Sequence, residues 1–165
     1  MNFSNFYDLS YSDLSDFISS NFSLEKKKTS MRTNQIWKFV YKKGLRETSK
    51  FSNISSELKY NIEKSFNFNR TNIAEKKISK DGTIKWLLKL SDNNLVETVF
   101  IPSGKRGTLC VSSQVGCTLN CKFCHTGTQL MVKNLTTHEI INQILVAKDE
   151  LNDWGSQKKI TNIVY

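Results

Sequence analysis

All four cysteines of this 165-residue chain fall between positions 110 and 124. Three of them, Cys117, Cys121 and Cys124, are spaced C-x3-C-x2-C in the stretch Cys110-Val-Ser-Ser-Gln-Val-Gly-Cys117-Thr-Leu-Asn-Cys121-Lys-Phe-Cys124-His125. Thiols this close in sequence cannot scatter over a core, and the spacing suits a loop wrapped round a metal centre. Structural zinc needs four ligands and usually takes them as two separated pairs. Cys110 lies seven residues before Cys117, across a predicted strand end, and is poorly placed to join the other three. His125 could complete a three-cysteine, one-histidine zinc site, but it directly follows Cys124, and adjacent side chains rarely converge on one tetrahedral ion. A 4Fe–4S cluster held by three thiolates, with its fourth iron open, suits this donor set better than zinc.

The N-terminus has no basic n-region and no apolar h-region, and no run approaches the roughly 18 apolar residues that span a bilayer. A chain with these thiols and no export signal is expected in a reducing cytoplasm, where cysteines serve metal or redox chemistry. The net charge of +9 is unevenly spread. Residues 1–24 carry three acids and no base, residues 25–108 carry 19 Lys or Arg against 8 acids, and residues 109–165 carry 5 against 4. A basic segment beside a near-neutral chemical one is what a nucleic-acid substrate asks for, because phosphate contacts supply most sequence-independent affinity. There is a plainer source too: Lys outnumbers Arg 20 to 4 amid abundant Asn, Ile, Ser and Phe, a bias that AT-rich coding alone produces.

Along the chain, Leu9, Leu14, Phe17 and Ile18 predict a short helix over residues 8–20, capped by Ser10 or Ser12. Lys26-Lys27-Lys28 reads as a solvated turn. Ile36, Phe39 and Val40 predict a helix from Ser30 to Lys43 that Gly44 stops, with Trp37 assigned to the core in preference to base stacking. Ile54, Leu58, Ile62 and Phe66 predict a third helix over 54–67. These make a helical accessory domain, residues 1–70, expected to bind RNA.

The period then changes to two. Ile73–Ile78, Ile84–Leu90 and Leu95–Ile101 read as strands of a β extension over residues 71–106, with Asp81-Gly82 marking a hairpin turn. Glu97 sits in the otherwise apolar row Leu95, Val99, Ile101; it either reaches water at an edge or, if covered, becomes a proton acceptor through a raised pKa. Pro102 is expected to end the strand, and Ser103–Gly107 to be a mobile basic loop. Residues 107–165 then read as the start of an α/β domain. A strand runs from Gly107 to Ser112, followed by the cysteine loop. A helix capped by Thr136 and Glu139 extends to about Asn152, with Ile140, Ile141, Ile144, Leu145 and Leu151 on its apolar face, and a strand covers 159–165. Strand, loop, helix, strand is one βαβ unit of a parallel sheet, too little to close a barrel.

With Phe123 in its last gap, the cysteine string resembles the radical S-adenosylmethionine (radical SAM) enzymes. The longer string from Cys110 to Cys124 is similar to one branch of them, the RlmN/Cfr family of RNA adenine methyltransferases. Gln35-Ile-Trp-Lys-Phe-Val-Tyr-Lys-Lys-Gly44, Asp81-Gly-Thr-Ile-Lys-Trp-Leu-Leu-Lys-Leu90 and Leu95-Val-Glu-Thr-Val-Phe-Ile-Pro102 extend the resemblance over most of the chain from about residue 30. The resemblance implies a (β/α)6 partial TIM barrel and a 4Fe–4S cluster on Cys117, Cys121 and Cys124 that binds S-adenosyl-L-methionine at its open iron. It implies Glu97 as proton acceptor, and Cys110 as one partner of a transient disulfide whose other member is the family's C-terminal methyl-carrier cysteine. It further implies methylation of C2 of adenosine in 23S rRNA and tRNA through a methyl-cysteine, an electron donor such as flavodoxin, and a cytoplasmic monomer. These 165 residues hold no cysteine after Cys124, nor the Gly-Glu and later positions that hold S-adenosylmethionine in the family. The chain therefore reads as an N-terminal fragment, expected to be inactive alone. The alternatives are a Cfr-type adenine-C8 methyltransferase and a non-catalytic RNA-binding or zinc-binding module.

Overall fold

A computed structural model of the chain describes residues 5–22, 25–117 and 130–165. They divide into two compact units, Met1–Asn69 and Arg70–Tyr165.

The first unit is helical. Helix α1 (Tyr11–Asn21) opens at Ser10, one of the two expected caps, in a capping box: its hydroxyl accepts from the Asp13 N–H at 3.1 Å and the Asp13 carboxylate accepts from the Ser10 N–H at 2.8 Å. Helix α2 (Lys26–Tyr41) begins four residues earlier than predicted, so the Lys26–Lys28 run forms its first turn rather than a loop. Three ammonium groups at the positive end of a helix dipole are unfavourable, and Glu25 supplies no side-chain cap. Burial of Thr29, Thr33, Ile36 and Val40 along one stripe outweighs that local preference. At the other end Gly44, at φ 69°, lets the chain turn back so that the Leu45 N–H reaches the Phe39 carbonyl at 3.0 Å. Helix α3 (Ser56–Ser65) starts at Ser55. Phe6 is fully buried, with its ring stacked on Phe68 at 4.7 Å and edge-on to Phe66 at 5.9 Å. Trp37 is only half-buried, against the rings of Tyr11 at 5.6 Å and Tyr41 at 4.5 Å.

The second unit is a sheet with a helix on one face. Strands β1 (Asn72–Ile78), β2 (Ile84–Lys89), β3 (Leu95–Ser103) and β4 (Arg106–Cys110) pair antiparallel in that order. Two short strands, β5 (Gln114–Val115) and β6 (Lys133–Asn134), form a separate ribbon. Helix α4 (Thr137–Leu151) follows, and β7 (Asn162–Val164) closes the βαβ unit by pairing parallel to β4, with Cys110 opposite Val164. The predicted strand over 159–165 thus shrinks to three residues. The strands of 71–106 and of 107–165 share this one sheet and one unit.

Two local expectations are corrected. Pro102 does not end β3, which runs on to Ser103 with Pro102 opposite Gly107; beside the hairpin turn a missing N–H costs the ladder little. Nor is 103–107 a loose loop. It is a tight hairpin turned at Gly104, φ 58°, and Arg106 and Gly107 already belong to β4. Gly107 is required by space. A Cβ there would lie 2.0 Å from the Lys159 carbonyl and 2.5 Å from the Phe100 ring, where the crossover returns to the sheet.

Alternation sends Trp86, Leu88, Val96, Thr98, Phe100 and Leu109 to the face covered by α4, where Val146, Ala147 and Leu151 complete the core. Burying a Leu such as Leu88 or Leu109 contributes about 1.5–3 kcal/mol. Of the predicted apolar stripe of α4, Leu145 and Leu151 are buried and Ile140 and Ile144 pack half-buried against the core, but the helix also buries three polar residues, Glu139, Asn142 and Gln143. Gln143 is fully buried. Its Oε1 accepts from the Ser112 N–H at 2.7 Å and the Thr98 hydroxyl at 3.0 Å. Its Nε2 donates to the Ser112 carbonyl at 2.8 Å and the Glu139 carbonyl at 3.2 Å. All four hydrogen-bonding positions of one amide are filled, and helix, β3 and the segment after β4 are joined at one point. Gln143→Leu is expected to strand Ser112 and Thr98 without partners and to cost about 3 kcal/mol, read as a lower urea midpoint; an unchanged midpoint would refute the role.

Candidate active site

The cysteine stretch leaves the sheet at Cys110, the last residue of β4. Gln143 pins Ser112 on both sides of its backbone, β5 follows, and Gly116 and Cys117 come directly after it. The chain returns through Leu130 and Met131 into β6, with the Val132 N–H donating to the Val115 carbonyl at 2.8 Å and the Leu135 N–H to the Ser113 carbonyl at 2.9 Å. Cys117 thus stands at the mouth of a two-stranded ribbon, held at both stems. Cys121, Cys124 and His125 lie outside the described residues, and among the described residues no three potential metal ligands gather.

Gly116 shows how closely the stems approach. It adopts φ 77°, and a Cβ there would lie 2.0 Å from the Leu130 carbonyl oxygen. No side chain fits, so the incoming and outgoing strands touch backbone to backbone immediately before the first cysteine of the triplet. A short loop closed in this way, with three thiols along it, fits a compact metal group held from one side.

Charge secures the outgoing stem. The Lys133 ammonium ion-pairs with Asp92, in the β2–β3 turn, and donates to Glu139 Oε1 at 2.7 Å. The other Glu139 oxygen accepts from the Thr136 N–H at 2.9 Å, completing the predicted capping box. Burial pushes the Glu139 carboxyl up, but Lys133 and the Thr136 N–H outweigh it and leave it below the usual carboxylate range. Burial likewise works against the Lys133 charge, which its two partners nevertheless hold above its ordinary value. Hydrogen bonds from Lys133 and Asn94 bring Asp92 down to about 2.

Glu97 pairs opposite Leu87, and Cys110 opposite Val99, two residues further along β3. Alternation therefore places Glu97 and Cys110 on the same face of the sheet, the one away from α4. That face also carries Leu95, Ile101 and Val164, each more than two-fifths exposed. Glu97 reaches water and accepts from Lys85 Nζ at 2.8 Å; this hydrogen bond and the carboxylate charge raise the Lys85 pKa. Of the two sequence readings of Glu97, the exposed carboxylate matches the solvated one. The Cys110 thiol is half-buried and not in a disulfide. The ribbon, Gln143 and the Lys133 pairings were not anticipated; the amides Asn142 and Gln143 among the apolar positions of the helix were the available signal.

The fold and the ribbon define a class. A radical SAM methyltransferase from Sphaerobacter thermophilus superposes with a TM-score of 0.79 at 26% identity, over 97% of this chain and 45% of that one. The curated sequences narrow it. The chain is 48% identical over 146 residues to the dual-specificity RNA methyltransferase RlmN of Rhodopseudomonas palustris (strain BisB5), covering 81% of this chain and 37% of that protein. It is 44% identical over 162 residues to RlmN of Chelativorans sp. (strain BNC1), covering 88% and 40%. The chain is a homologue of the RlmN enzymes and spans about two-fifths of the length of these relatives. No protein-family model matches it. Among the described residues no helix is long and apolar enough to cross a membrane.

Two expectations follow from this geometry. Asp92 titrates lower when folded than unfolded, so its contribution is complete above the unfolded value of about 4 and fades as pH falls toward about 2; the Glu139 carboxyl is lowered in the same direction. The urea midpoint should therefore fall more steeply over that interval in the wild type than in Asp92→Asn; parallel profiles would count against the pairing. Gly116→Ala should displace Leu130 and Met131, at a backbone cost of about 1–2 kcal/mol, and speed hydrogen exchange at the Val132 N–H. Unaltered exchange there would show that the stems do not need the glycine.

Proposed function

We propose that these residues form the N-terminal part of a radical SAM enzyme that methylates C2 of adenosine in 23S rRNA and in tRNA. The observation that carries the reading is the C-x3-C-x2-C spacing, whose first member, Cys117, directly follows a closed ribbon after the first parallel strand, in a sheet where Glu97 and Cys110 share a face. In this reading Cys117, Cys121 and Cys124 hold a 4Fe–4S cluster, and the βαβ unit β4–α4–β7 begins a (β/α)6 partial barrel. With S-adenosylmethionine the cluster supplies the one-electron chemistry that methyl transfer to a non-nucleophilic ring carbon requires.

The chain's own residues have separate tasks. Glu97 takes up a proton at its carboxylate, which Lys85 orients from the neighbouring strand. Cys110 provides one thiol of a transient disulfide; the second thiol belongs to a methyl-carrier cysteine C-terminal to these residues. The basic segment 25–108 supplies phosphate contacts to RNA. A flavodoxin-type electron donor, a monomeric state and a cytoplasmic location belong to the same reading.

Anaerobic incubation with iron and sulfide is expected to give a brown protein with about four irons per chain. Uptake should be lost in Cys117→Ala, Cys121→Ala and Cys124→Ala and retained in Cys110→Ala. Stoichiometric zinc with no cluster uptake would overturn the proposal.

A further inference from the structure

We infer that Lys133 is a positioning residue for the metal-binding loop: its ion pairs to Asp92 and Glu139 clamp the loop's outgoing stem and thereby set where Cys117 stands. The inference rests on the cysteine loop being the cluster site, as proposed above. Lys133 is the first residue of β6, and β6 has only two residues, paired with the two of β5. So short a ribbon cannot hold its own register, because each strand contributes a single rung or two and an isolated pair is marginal in water. Something outside it must fix it. On the incoming side Gln143 does so through Ser112. On the outgoing side the Leu135 side chain is buried in the core and its N–H bonds to the Ser113 carbonyl, Asn134 accepts from Gln114, and Lys133 supplies the charged tie to elements outside the ribbon.

The route from Lys133 to the thiol is short and made of contacts. Asp92 belongs to the β2–β3 turn and Glu139 to the first turn of α4, so one ammonium ties β6 to the sheet and to the helix together. The Glu139 side chain is 5% exposed and its other oxygen is held by the Thr136 N–H, which leaves Lys133 as the charge that balances it. Two residues before Lys133 the backbone at Leu130–Met131 presses on Gly116, with no room for a Cβ. A shift of β6 is therefore passed without slack to Gly116 and to Cys117 beside it.

The test compares thiol alkylation rates at Cys110 and Cys117 in the reduced, cluster-free chain, mapped by peptide mass spectrometry, with thermal unfolding followed in parallel. Lys133→Met is expected to speed Cys117 labelling about tenfold by raising the population of open ribbon, with the Cys110 rate unchanged. Lys133→Arg should stay near wild type, and Asp92→Asn should fall between. Because Lys133→Met leaves a buried carboxylate unbalanced, the double variant Lys133→Met/Glu139→Gln is the control. It should recover thermal stability while Cys117 stays unprotected. The inference is overturned if Cys117 labelling is unchanged in Lys133→Met, if Cys110 and Cys117 accelerate together, or if the double variant restores protection of Cys117. Iron uptake separates the two readings. A wild-type chain that takes up no iron removes the cluster proposal but leaves the alkylation pattern standing. A Lys133→Met chain that loads iron with the wild-type spectrum and stoichiometry overturns the role in ligand positioning.

Discussion

A single buried amide gives the second unit its shape at the point where chemistry is expected. Gln143 offers Ser112 the N–H and C=O that a neighbouring strand would otherwise offer, and takes a third bond from Thr98. Because a buried amide left half-satisfied is costly, the arrangement tolerates only one position of α4 over β3 and of the chain leaving β4. Ser112 extends this outward, its hydroxyl donating to the Glu97 carbonyl at 2.8 Å. The strand that carries Glu97, the strand that ends in Cys110 and the helix behind them are thus fixed by one small network.

The loop beyond this network is held differently. Its stems meet in a ribbon too short to be stable alone, closed by the backbone contact at Gly116 and by the charges around Lys133. Rigid, uncharged bonding anchors the incoming stem, and partly exposed ion pairs anchor the outgoing one. This division gives Asp92, remote in sequence from every cysteine, a part in the site.

Much of this was legible in the chain and some of it was not. The cap at Ser10, the capping box at Thr136 and the hairpin at Asp81-Gly82 depend on neighbours within a few residues, and they appear where the pattern placed them, as does the order of elements in the βαβ unit. The errors arose where a local preference met a distant contact. The Lys26–Lys28 run is helical because the stripe beneath it is buried, and Pro102 stays in its strand because it lies beside a turn. The burial of Gln143 beside the isoleucines of α4 was missed because its partners Ser112 and Thr98, 31 and 45 residues away in the chain, cannot be seen in helical periodicity.

The sequence by itself determined where to look, four thiols in fifteen residues at a spacing that suits a metal centre, and a family resemblance that the relatives bear out. Spacing along a chain is enough for that, since ligand type and separation are local properties. Only the tertiary structure decided that Glu97 and Cys110 face the same way, that Gly116 leaves no room for a side chain, and that Lys133 joins the loop to Asp92 and Glu139. Those facts depend on which strand lies beside which and in what register. Register is set by the burial of a whole face together, a property that no short stretch of residues carries alone.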